Sequence, residues 1–138
     1  EMGAAMRQED SVKEISRMVQ LASFTVVGIG GMSDTSTIVK SGILNKNDML
    51  YLKMQGAVGD VLSHFIDKDG NLVPTGIEDR LISTPLETIK ELKNVIGVAA
   101  GIKKVEAIRA ALRGNYLDVL ITDESTALGL IGEEDVAE

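Results

Sequence analysis

VIGVAAGIKKVEAIRAALRGNYLDVLIT, Val95 to Thr122, sets an apolar run, a helical pattern and a second apolar run in succession. Val95 to Ala99 is a small, apolar run without alternation, the pattern of a strand covered on both faces. Val105, Ile108 and Leu112 then recur at helical spacing, Gly114 stands where a helix C-cap falls, and LDVLIT is apolar again. Strand, helix and strand in this order imply a right-handed crossover between parallel strands. Lys103 and Lys104 lie at the junction of the first strand and the helix. The first turn of a helix already carries unpaired N–H groups and the positive end of the macrodipole. Lysines placed there either reach into water or meet an anion that the helix end also attracts.

Upstream, FTVVGIG, Phe24 to Gly30, is a second continuous apolar run and reads as another parallel strand covered on both faces. Val12, Ile15, Val19 and Ala22 predict an amphipathic helix over about 8–21 that leads into it. Asn45 is an N-cap with Asp48 three residues on, opening a helix to about Met54. DVLSHFID, then Asp69-Gly70, then NLVP read as two short antiparallel strands turning at Asp-Gly. Thr84, Pro85 and Glu87 have the spacing of a capping box with proline at the first helical position. A last short helix starts near Asp123, and the acidic tail GEEDVAE is expected to fray.

These elements predict an α/β fold, a three-layer parallel sheet with a β-hairpin insertion. Ligands of such sheets bind beyond the carboxyl ends of the strands, here GIGG, AAGIKK and TDEST. Lys103 and Lys104 therefore fall on the functional edge.

The chain has 138 residues, enough for one domain, and a formal net charge of -7, the opposite of a surface that reads a phosphate backbone. It has no cysteine and one histidine, His64, so a disulfide framework, a thiolate nucleophile and a histidine-rich zinc site are all excluded. No cofactor is expected. No apolar run reaches the roughly 20 residues of a membrane span and no signal pattern opens the sequence, which predicts a cytoplasmic protein. Aromatic residues make up 3% with no Trp, too few for stacking platforms, which leaves a small charged or polyhydroxylated ligand.

GIGG lacks the third glycine of a dinucleotide fingerprint; its glycines serve a tight turn or admit a ligand close to the backbone. Asp60, after Gly56 and Gly59, either accepts hydrogen bonds from sugar hydroxyls or caps the hairpin's backbone. His64 reads as a packed or half-exposed strand residue. DKDGN is a turn, since its glycine comes too early for a calcium loop. The carboxylates of TDEST suit capping of the last helix better than acid–base work. Lys103 reads as solvent-facing, and Lys104 is the better candidate for a ligand.

GAVGDVLSHFIDKDGNLV, followed by GVAAGIKKVEAIRAALRGNYLDVLITDESTA, resembles the effector-binding region of SorC/DeoR-type bacterial transcription regulators. VVGIGGMSDTSTIVKSGILNKND fits the same family, and together these cover most of the chain from Phe24 to Ile131. The resemblance implies a fold related to phosphosugar isomerases and CoA-transferase-like proteins. It also implies a non-enzymatic domain, here residues 1–138, that senses a phosphorylated sugar and controls a DNA reader in a preceding domain. The family's lysine after the glycine turn falls on Lys104 and its acidic residue after GAVG on Asp60. Gly101, Gly30 and Ser36 complete the ligand-binding set. Ala100 stands where the family usually has a second glycine. No DNA-reading motif precedes Gln8, and the family's first strands with their glycine- and threonine-rich phosphate loop do not occur in this sequence. On these terms the chain is the C-terminal part of a regulator, binds a sugar phosphate, meets DNA only through another domain and forms homo-oligomers. The competing readings are a phosphosugar isomerase or aldolase-like enzyme, with Asp60 or Asp123 as base or Lys104 as an imine-forming amine, and an assembly module without a ligand.

Overall fold

The computed structural model describes residues 2–33, 36–76 and 81–137, with side chains through residue 132. The stretch from Val95 to Thr122 forms the expected unit: strand β4 (Val95–Val98), a 3-10 turn (Ile102–Lys104), helix α6 (Val105–Arg113) and strand β5 (Val119–Ile121). β4 pairs in parallel with β5 and, on its other side, with β1 (Thr25–Gly31). Hairpin strands β2 (Ala57–Val61) and β3 (His64–Asp67) complete the sheet in the order β3-β2-β1-β4-β5. β2 is antiparallel to both of its neighbours, so the other four strands share one direction.

The pairing assigns the faces. Val27, Ile29, Val61 and Ile66 meet Leu86 and Ile89 of α5 (Leu86–Glu91) and Ile108, Ala110 and Ala111 of α6 in the larger core. Phe65, next to Ile66 in β3, points the opposite way. There it packs against Ile38 of α3 (Thr37–Lys40) and Met49 and Leu52 of α4 (Lys46–Met54). A register shift between Ala57 and Gly59 lets β2 contribute Ala57 to this second core and Val61 to the first. Helices α1 (Met2–Arg7) and α2 (Asp10–Gln20) precede β1, and α7 (Glu124–Ala137) follows β5.

Several local expectations need correction. The helix expected over about 8–21 forms as α2, Asp10–Gln20, and a separate helix, α1, which was not anticipated, precedes it. The β2–β3 hairpin turns at Leu62-Ser63, with φ of 50° and 66°, a turn not anticipated. The chain also reverses at Asp69-Gly70 as expected, with an antiparallel bridge from Ile66 to Leu72 and backbone N–H bonds from Asp67 to Asn71 O and from Val73 to Phe65 O, but the second arm is too short to form a strand. Pro85 occupies the N-cap of α5 and no side-chain cap bond forms, so the Thr84 box is not made. The last helix is 14 residues long, not short, and runs into the acidic tail as far as Ala137. β1 is not covered on both faces throughout: Val27 and Ile29 are buried, whereas Val26 is 66% exposed and Phe24 68%. Val98, Val119 and Ile121, in register with Gly28 and Val26, are exposed on the same face. The Asn45 capping box is complete: Asn45 Oδ1 accepts from Asp48 N–H at 2.9 Å, and Asp48 accepts from Asn45 N–H at 2.9 Å.

Candidate functional site

On the α3–α4 face the carboxyl end of β1 opens into a cleft of about 1080 Å³. Its wall includes Gly28 to Ser33 of β1 and the loop after it, Ser36 to Ile38 at the start of α3, Asp60 of the hairpin, and Lys103 and Lys104. Four of the five residues expected to bind ligand, Lys104, Asp60, Gly30 and Ser36, come together here from separate parts of the chain.

Asp60 stands opposite Gly30 in the β1–β2 register. A β-carbon at Gly30 would overlap the Asp60 carboxylate, so glycine here allows the acid to lie across the strand. Asp60 Oδ2 also accepts the Ser63 N–H at 3.2 Å, bracing a two-residue turn built from residues with positive φ and no glycine. The carboxylate thus caps the hairpin's backbone, and the same residue lines the cleft. Burial raises its pKa above the ordinary carboxylate value, against the opposing pull of the Ser63 N–H, Lys104 and His64.

Lys104 closes the 3-10 turn and leads into α6, and its N–H donates to Gly101 O at 2.9 Å. Gly31 lies against this turn, 3.7 Å from Lys104 Cγ to the position a β-carbon would take. Gly101, at φ 130°, is outside the cleft wall and acts through loop shape: its N–H donates to Thr126 Oγ1 at 2.8 Å. Thr126 is fully buried, and its own N–H donates to Asp123 Oδ1 at 2.9 Å. Asp123 is therefore the N-cap acceptor of α7, and the hydrogen bonds from the Thr126 side chain and backbone lower its pKa. The TDEST segment braces the lysine turn from beneath. Ala100 is exposed and stands outside the cleft wall, so its methyl group does not narrow the cleft.

The Ser36 Oγ is buried and has no hydrogen-bond partner among the described residues. A buried hydroxyl without a partner carries a desolvation cost that a ligand's polar group could relieve. Lys103 is exposed, as expected, and still contributes to the wall. Lys53 of α4 also lines the cleft and was not anticipated. Sequence reading missed it because it belongs to no motif and is one of several exposed lysines. His64 is half-buried in β3 opposite Val61 and is not part of the wall. Among the described residues no group of three His, Asp or Glu side chains is placed to hold a metal ion, and no helix is long and apolar enough to cross a membrane.

Residues 1–132 match the sequence profile of the Sugar-bind family of sugar-binding domains. The chain belongs to this family. It is 34% identical over 134 residues to the transcriptional regulator LsrR of Klebsiella pneumoniae, covering 95% of this chain and 42% of the relative. Among solved structures it superposes with a TM-score of 0.87 on a DeoR family transcriptional regulator from Listeria monocytogenes, at 27% identity and over 94% of this chain and 52% of that one. It superposes with a TM-score of 0.81 on the full-length sorbitol operon regulator SorC from Klebsiella pneumoniae, at 26% identity and over 91% and 41% of the two chains. This Sugar-bind domain thus spans about half or less of the regulators it matches, and the SorC/DeoR resemblance read from GAVGD and GIKK holds across nearly its whole length.

Proposed function

We propose that this domain is the effector-sensing part of a cytoplasmic transcription regulator of sugar metabolism, and that its effector is a phosphorylated sugar bound in the cleft. The observation that carries this reading is the convergence of Asp60, Lys104 and Ser36 on one cleft wall. Lys104 offers a charge-assisted hydrogen bond to a phosphate at the start of α6, where the positive end of the helix macrodipole adds to the same potential. Asp60 accepts hydrogen bonds from sugar hydroxyls, and Ser36 completes its own hydrogen bonding on the ligand. Gly28, with open space where a β-carbon would stand, lets the ligand approach the backbone of β1.

Relatives named as transcription regulators support a binding role over turnover. In this reading no covalent step occurs. The effector binds one arrangement of domains or subunits more tightly than another and so shifts the DNA affinity of another part of the regulator, within a homo-oligomer. A melting-temperature screen against pentose and hexose phosphates tests the function, with assays of substrate loss run in parallel. A concentration-dependent upward shift with at least one sugar phosphate, without consumption, is the expected result. Turnover of any of these compounds would replace the sensor by an enzyme, and no shift with any of them would leave an assembly module.

A further inference from the structure

One phosphate leaves part of the cleft's charge unused. Among the described wall residues there are three lysines, Lys53, Lys103 and Lys104, and one carboxylate, Asp60. None of these lysines forms an ion pair among the described residues. In a chain of formal net charge -7 the wall is a local reversal of sign, and a phosphate on Lys104 answers it at one end only.

The two ends belong to different parts of the fold. Lys103 and Lys104 follow β4, on one side of β1, and Lys53 precedes β2, on the other side. β2 and β4 are two strand spacings apart, about 10 Å. Met49 and Leu52 of α4 are buried in the second core, which fixes the rotation of the helix and leaves Lys53, the next residue, exposed at the cleft. The local fields differ as well. Lys104 stands at the start of α6, where the macrodipole is positive, whereas Lys53 is in the last turn of α4, where it is negative. The α4 end therefore disfavours a dianionic phosphate more than a singly charged group, and Lys53 suits a carboxylate.

Given a sugar phosphate in the cleft, as proposed above, we infer that the effector carries a carboxylate at the end remote from its phosphate, and that Lys53 receives it. The chemical class is the phosphorylated sugar acids, whose open chain places its two charges at its two ends. Lys104 and Lys53 together then read the length of the ligand as well as its charge, and a neutral sugar phosphate leaves Lys53 in water. Lys53 is thus a specificity-determining residue and not a further contact to the same phosphate.

Calorimetric titration with three matched pairs tests this: 6-phosphogluconate with glucitol 6-phosphate, 5-phosphoribonate with ribitol 5-phosphate, and 4-phosphoerythronate with erythritol 4-phosphate. The members of each pair differ only in a terminal carboxylate or hydroxymethyl group. In at least one pair the acid should bind about fivefold or more tightly than the alcohol. Lys53→Gln should bring the two to equal affinity and Lys53→Arg should keep the preference, whereas Lys104→Ala should weaken both members. Melting curves establish that the variants are folded. Glucitol 1,6-bisphosphate separates the two sources of a second charge, and should gain less over glucitol 6-phosphate than 6-phosphogluconate does. Equal affinity within every pair, an acid preference that survives in Lys53→Gln, or a larger gain for the bisphosphate would overturn the role of Lys53 while leaving a sugar-phosphate sensor. No binding by any member, with no response in the melting screen, would remove the sugar-phosphate reading itself and the role of Lys53 with it.

Discussion

The Asp60 carboxylate is held above its ordinary pKa because burial outweighs the help it receives from the Ser63 N–H, Lys104 and His64. The folded state therefore holds the proton more tightly than the unfolded chain, and stability falls as pH rises from the ordinary carboxylate range through the raised value. Asp60→Asn keeps an acceptor for the Ser63 N–H and has no charge to desolvate. In ligand-free protein the variant should match the wild type in acid and melt higher at neutral pH, while losing effector affinity; a lower melting temperature for Asp60→Asn at neutral pH would contradict this. For Lys104→Ala we expect a loss of about 1.5–3 kcal/mol in effector binding with the fold retained, the scale of a hydrogen bond to a charged group. Lys103→Ala should lose less, because that side chain is more exposed. Calorimetric titration of both variants measures the difference, and equal losses would mean that a diffuse positive field, not Lys104, holds the anion. Spacing alone left the roles of Lys104 and Asp60 open; the family resemblance named them, and the structure brings both to the cleft. Ser36 Oγ is placed by tertiary packing, and neither its burial nor its missing partner can be read from neighbours along the chain.

The elements that sequence reading placed well are those specified by local contacts. Asn45 and Asp48 satisfy each other's backbone across three residues, so their box is legible without tertiary information. The hairpin turn is the opposite case. Leu62 and Ser63 lack the glycine or asparagine that positive φ usually attracts, and the bond from Ser63 N–H to the Asp60 carboxylate helps hold the turn. Asp69-Gly70 offered the stronger local signal but lies one turn downstream. An apolar run such as Phe24 to Gly30 looks the same whether one face or both are covered, which is why the exposure of Val26 was not foreseen. The lysine turn depends on a neighbouring element: Gly101 N–H donates to Thr126, whose own N–H is held by Asp123. Thr126→Val removes that acceptor from a buried site. Hydrogen exchange at the Gly101 amide should then speed up markedly while the core of α6 stays protected; unchanged exchange would show that the turn holds itself. The lowered pKa of Asp123 gives this brace its pH dependence. Its contribution is present above the unfolded carboxylate pKa and is lost as pH falls through the lowered folded value, so the Gly101 amide should also open in acid.

At the scale of the molecule, the sheet face that carries the cleft is divided. Over the hairpin, α3 and α4 cover Phe65 and Ala57, whereas across β1, β4 and β5 the face leaves Val26, Val98, Val119 and Ile121 exposed. The polar cleft lies beside this apolar face, where the carboxyl end of β1 meets the lysine turn. A ligand held by Asp60 and Lys104 at that edge is positioned to alter how neighbouring parts of a regulator pack against it, the physical basis of the sensing role proposed here. In the proposed function the cleft recognises the phosphate as well as the sugar. The most direct measurement is calorimetric titration with a sugar phosphate that shifts the melting temperature and with the same sugar unphosphorylated, on wild type and Lys104→Ala. The phosphorylated form should bind wild type at least tenfold more tightly, and Lys104→Ala should remove most of that preference. Equal affinity for the two forms in wild type, or a preference that survives intact in Lys104→Ala, would contradict it.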